Sequence, residues 1–163
     1  MSAAYFFGAQ RLFTLIASFW VGSLLTVGYL VAPAIFSTLT DRQVAGMVAG
    51  AIFRIEAYLS ITISIALLVL ANLLVRRGLN AYRLARWLLL AMLLCSLLGV
   101  LVLMPWMNTL RDQALMQGMP VMLSPSAELF GKLHGASSTL YLIQSALGIY
   151  LVWRLIGSYT KQY

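Results

Sequence analysis

Acidic side chains are nearly missing from this sequence. Asp41, Glu56, Asp112 and Glu128 are the only four in 163 residues, and all charged residues together make up 9%. A chain this short of polar groups and 62% hydrophobic cannot cover a water-soluble globule of its size, so the soluble classes are excluded. Cysteine is reduced to Cys95, which rules out a disulfide within one chain and reads as a small buried hydrophobe in an apolar run. Histidine is reduced to His134, so a two-histidine haem ligation is excluded. Nucleophile elbows, phosphate loops, metalloprotease motifs and paired catalytic acids are missing, and no soluble stretch is left to house them; the expectation is a protein that is not an enzyme and carries no cofactor.

What the chain does have is long uncharged runs. Leu12 to Thr40, Ala57 to Val75, Trp87 to Leu110 and Gly135 to Trp153 are free of Asp, Glu, Lys, Arg and His. A lipid-spanning helix needs roughly 20 apolar residues, and runs this continuous do not fit the alternating strands of an outer-membrane barrel. The expected fold is an all-α, integral membrane four-helix bundle forming a single domain over 1–163, with spans at about 12–36, 55–75, 87–107 and 134–154. The first span lacks the positive leader and the short apolar core of a secretory signal and is read as permanent.

Positive residues give the orientation. Arg76, Arg77, Arg83 and Arg86 crowd the joint between the second and third runs and mark it as cytoplasmic, which carries both termini, with Arg11, Arg154 and Lys161, to the same side. The four acids fall at the outer side beside Arg42, Arg54, Arg111 and Lys132. The net charge of +7 is then an insertion signal facing anionic headgroups of a bacterial inner membrane, and no nucleic acid is needed to explain it. Trp87, Trp106 and Trp153 read as interfacial anchors.

The two halves resemble each other. Pro33 followed by Thr38-Leu39-Thr40-Asp41, and Pro105 followed by Thr109-Leu110-Arg111-Asp112, stand near the outer ends of the odd spans, where proline can end or bend a helix. Glu56 and His134 then begin the two even apolar runs, in matching places. Two parallel-repeat hairpins would be related by an axis along the membrane normal. Thr40 with Gln43 forms a capping-box pair, and Ser124-Pro125 reads as a helix start. The second helix should therefore run from about Asp41 to Val75, roughly 50 Å at 1.5 Å per residue. A short amphipathic helix is expected in the connection 108–123 until Gly118 and Pro120 stop it.

Lanes of small and polar residues recur at helical spacing: Ser18, Gly22 and Thr26; Glu56, Ser60 and Ser64; Cys95 and Gly99; His134, Ser138, Tyr141, Ser145 and Gly148. Two readings stand. The lanes are close-packing surfaces, or they line an outward-facing polar site formed by Glu56, Ser60, His134, Ser138 and Tyr141. Met104, Met107, Met116, Met119 and Met122, with His134 following, form a soft-ligand set that would suit copper(I), against the plainer reading of methionine as flexible apolar filler.

The segment Leu129-Phe130-Gly131-Lys132-Leu133-His134-Gly135-Ala136-Ser137-Ser138, with the Ala32-Pro33 helix end and the Ala45-to-Phe53 approach to the second span, resembles the transmembrane protein 205-like family, whose bacterial members form domain of unknown function 4149. The resemblance implies a compact four-helix membrane protein without an assigned activity, and it hints at small-solute or soft-metal export. Two functional classes remain: a small-solute or soft-metal transport or tolerance component, working as a homo-oligomer, and a non-catalytic accessory subunit packed against a larger membrane complex.

Overall fold

The computed structural model describes the backbone of residues 3–159 and the side chains of residues 8–157; Lys161 lies outside them. Regular structure among these residues is entirely helical. Helix α1 (Ala3–Thr26) passes through a wide π turn (Val27–Val31) into α2 (Ala32–Thr38), and together they make the first long rod. After a three-residue break comes α3 (Arg42–Arg76). Helix α4 (Tyr82–Leu98) passes through a second π turn (Gly99–Leu103) into α5 (Met104–Met116). A short 3-10 turn (Val121–Leu123) leads to α6 (Ala127–Tyr159). Four of these rods, Gly8–Thr38, Arg42–Arg76, Tyr82–Met116 and Ala127–Gly157, are long and apolar enough to cross a membrane.

The rods form a ring in which α1 touches α3, α3 touches α4, α4 touches α6 and α6 returns to α1. One end of the ring carries Arg76, Arg77, Arg83 and Arg86 and is called here the arginine end. The joint there is tight because α3 stops in a left-handed glycine: Gly78 has φ +90°, its N–H donates to Val75 O, and Leu79 N–H donates to Leu74 O. The same device stops α5 at Gly118, φ +72°, with donors from Gly118 and Met119 to Leu115 O and Ala114 O. Arg86 ties the joint by donating to Asn72 Oδ1 at 3.0 Å.

Four expectations shift. The cap of α3 is Asp41 rather than Thr40, since its carboxylate accepts from Gln43 N and Val44 N at 2.8 and 3.2 Å. Helix α6 starts at Ala127, because Ser124 and Pro125 form a turn in which Ser124 Oγ accepts from Ser126 N. The helix after the third span is the straight continuation of that span, with no break at Pro105. Neither Pro33 nor Pro105 ends its rod, because each stands in the first turn after a π turn, where its missing N–H and bulky ring are tolerated. The spacing from the start of the π turn to the proline, Val27 to Pro33 and Gly99 to Pro105, is the same in both halves, and this supports the repeat on geometric grounds.

Packing divides the interior into unlike halves. Toward the arginine end it is solid: Phe13, Leu67, Leu74, Leu89, Met92 and Leu151 belong to one continuous apolar cluster with Phe13 edge-on to Tyr82. A smaller cluster of Leu110, Ala114, Val121 and Leu133 fastens α5 and the 3-10 turn to the start of α6 at the opposite end. Between them the interior is polar.

A buried carboxyl among neutral partners

Glu56 is on the inward face of α3 and only 5% exposed. Four-residue spacing puts Ser60 and Ser64 on the same face, and both are fully buried. From α1, Ser23 Oγ reaches Glu56 Oε1 at 3.1 Å and the backbone oxygen of Trp20 at 2.8 Å; its one proton serves one of the two at a time. Trp20, fully enclosed, donates its indole N–H to Ser60 Oγ at 2.9 Å, and Gln144 of α6 donates to the same oxygen at 3.2 Å. With two donors already seated on its oxygen, the Ser60 hydroxyl has its own proton left to give, and the Glu56 side chain lies one turn before it on the same face of α3. Every group bonded to the carboxyl is thus neutral.

A second layer lies next to it. The Tyr141 hydroxyl of α6 donates to Leu24 O at 2.7 Å and also meets the Gly28 backbone. These are the two ends of one ordinary turn of helical hydrogen bonding, so the phenol is inserted into the ladder of the first rod just where the π turn begins. Phe53, one turn before Glu56, stands edge-on to the Tyr141 ring at 5.0 Å. Glu56, Ser60 and Tyr141 therefore come together as read from the sequence, and Ser145, also buried, bonds back to Tyr141 O on its own helix.

His134 and Ser138 do not join them. Both are exposed, and His134 lies parallel to Phe130 at 6.5 Å, with the Arg111 guanidinium 5.7 Å from that ring. His134 is seven residues from Tyr141 along α6, about 10 Å at 1.5 Å per residue. The repeat misled here because the connection 117–126 is longer than its counterpart at 39–41, so the even helices are offset more than the odd ones. Tyr141, rather than His134, neighbours the turn that carries Glu56.

The lane read on the first helix fails too. Gly22 and Thr26 are exposed, and the inward face is Phe13, Ala17, Trp20 and Leu24. Trp20, Ser23, Gln144 and Gly28 are the members that the sequence reading missed. Among the soft-ligand candidates, Met107 packs against the Leu110 cluster, whereas Met116 and Met122 are 87% and 61% exposed. No group of three or more His, Cys, Asp or Glu that could hold a metal ion stands together among the described residues.

Ser64 is the exception in this network, since its hydroxyl is fully buried and finds no partner among the described residues. Ser64→Ala is expected to leave stability unchanged or raise it by about 1 kcal/mol, because it deletes an unpaired polar group without orphaning a partner. The unfolding midpoint in detergent micelles checks this, and a fall of more than 1 kcal/mol would reveal a partner.

A family model described as "Domain of unknown function (DUF4149)" matches residues 15–115, which takes in Trp20, Ser23, Glu56, Ser60 and Ser64 and stops short of α6. No curated protein and no solved structure matches the chain.

Proposed function

From a chain that belongs to the DUF4149 family, described only as a domain of unknown function, we propose a transport or tolerance component for small solutes in the bacterial inner membrane, with the Glu56 carboxyl as its working group. The observation that carries this reading is a 5%-exposed carboxyl, among helices apolar enough to span, whose bonded neighbours are all neutral. An ionised carboxylate so placed is costly, so it is neutralised by a proton or by a bound cation, and exchange of one for the other is the elementary step of coupled transport. The polar cluster lies between the apolar cluster of the arginine end and the smaller one at the opposite end, which the positive-inside rule assigns to the outer face. Filled packing at the arginine end fits a protein that completes its path as a homo-oligomer or within a larger complex. The role needs no enzymatic step and no resident cofactor, and the soft-metal variant loses ground because Met107 is occupied in packing.

Infrared difference spectroscopy on the protein in lipid nanodiscs tests the reading. Beside the bands of the exposed Asp41, Asp112 and Glu128, a further carboxylic C=O component should appear on acidification, be absent from Glu56→Gln and persist in His134→Ala. A wild-type protein without a component that Glu56→Gln removes, at any pH, overturns it.

A further inference from the structure

A groove of about 290 Å³ runs along the outer faces of α1 and α3, walled by Leu15, Ile16, Phe19, Leu59 and Ile63, with Trp20 and Ser23 as its inner members. It faces the side where lipid would lie: Phe19 is 80% exposed, Leu15 57% and Leu59 43%. Its single hydroxyl, Ser23 Oγ, is the one that stands 3.1 Å from Glu56 Oε1. An apolar trough thus ends one hydroxyl away from a carboxyl that has no cation partner among the described residues.

We propose that this groove admits small lipophilic ammonium ions from the bilayer, with the ammonium head on Glu56 and the apolar body between Phe19 and Leu59. This rests on the reading of Glu56 as the exchangeable site and adds the substrate class. The head must be cationic because the carboxyl is otherwise met only by neutral donors, and replacement of its proton by an ammonium group leaves the pair neutral. It must also donate hydrogen bonds, since a carboxylate accepts up to four and Ser23 is the one side chain seated on it among the described residues. The body is small: at ~30 Å³ per water-sized group the groove holds about ten such groups, enough for one ring and a short tail. Ser23 has two acceptors for one proton, and it turns from Trp20 O to Glu56 when the carboxyl gives up its own. The balance is R-NH3+ plus the Glu56 acid giving the ion pair and one proton released to water.

The probe is 4-phenylbutylammonium, with 4-phenylbutanol and potassium as controls, added to the full chain in nanodiscs at a pH where the Glu56 carboxylic band is present. The ammonium ion should bleach the band, with the alcohol and potassium at least tenfold less potent. Leu59→Trp fills the groove at a 43%-exposed position; it should keep the pH-dependent band and require at least tenfold more ammonium ion to bleach it. Ile63→Trp, from the same wall, serves if Leu59→Trp does not fold. A wild-type band that the ammonium ion leaves untouched marks the groove as an acyl-chain seat and overturns the proposal while the Glu56 reading stands. Equal bleaching by potassium also overturns it, as does a filled groove that binds the ion as well as wild type. Absence of the band in wild type would instead sink the underlying reading.

Discussion

Gly28→Ala is expected to destabilise the protein by about 2–4 kcal/mol, although the same exchange at an open helical site would stabilise it by up to about 1 kcal/mol. A Cβ at residue 28 would stand 2.3 Å from Tyr141 Cε1 and 3.1–3.2 Å from two more ring atoms. A flexible chain could step aside. This ring cannot, being held at its hydroxyl by Leu24 O at 2.7 Å and on its edge by Phe53 at 5.0 Å. Overpacking costs about 1–3 kcal/mol and the displaced phenol loses a hydrogen bond worth about 1 kcal/mol more, so the clash outweighs the gain in helix propensity. Gly22→Ala, six residues earlier with nothing within 4 Å of its Cβ, provides the opposite sign in the same rod. Denaturant titration of the four species in a Gly28→Ala and Tyr141→Ala cycle measures the coupling. A coupling of at least about 1 kcal/mol is expected, and additive losses would show that the phenol does not occupy the ladder.

Residue 28 also shows which parts of the molecule were legible from sequence. Class and rod count follow from uncharged runs, because lipid imposes length and continuity on any helix that crosses it. The α3 lane followed as well: Glu56, Ser60 and Ser64 are polar in an apolar run, and burying them together is cheaper than facing each to lipid. On α1 the same logic gave the wrong face. Ser18, Gly22 and Thr26 are small enough to be tolerated at a lipid-facing surface, while the inward residues Phe13, Ala17, Trp20 and Leu24 are as apolar as those facing out. When solvent and interior are both apolar, hydrophobic periodicity carries no direction, so only strongly polar groups reveal a face. Trp20 was therefore invisible as a member of the site, although its spacing from Phe13 and Leu24 fits one helical stripe. His134 failed for a different reason, since its level on α6 is set by the length of the connection 117–126, which no motif fixes.

The largest loss among polar substitutions is expected at Ser60, by its sequence an ordinary-looking serine in an apolar helix. Its oxygen is the common acceptor for the Trp20 indole and the Gln144 amide, so Ser60→Ala leaves two donors on two other helices without a partner in an enclosed interior. An orphaned buried donor costs about 1–3 kcal/mol, whereas hydrogen bonds between membrane helices average about 0.6 and reach about 1.7 kcal/mol because the unfolded state finds substitutes. Two such donors in an enclosed interior place the loss at about 2–3 kcal/mol, read as the unfolding midpoint in micelles. Ser64→Ala, the same chemical change one turn farther along α3, is expected to cost nothing because the Ser64 hydroxyl finds no partner among the described residues. The difference between the two alanines isolates the network from burial. If both variants cost alike, Ser60 is a packing residue and the Trp20–Ser60–Gln144 junction does not hold the helices in register around Glu56. If only Ser60→Ala costs, restoring an acceptor with Ser60→Thr should recover most of the loss, because the hydroxyl again accepts from Trp20 and Gln144.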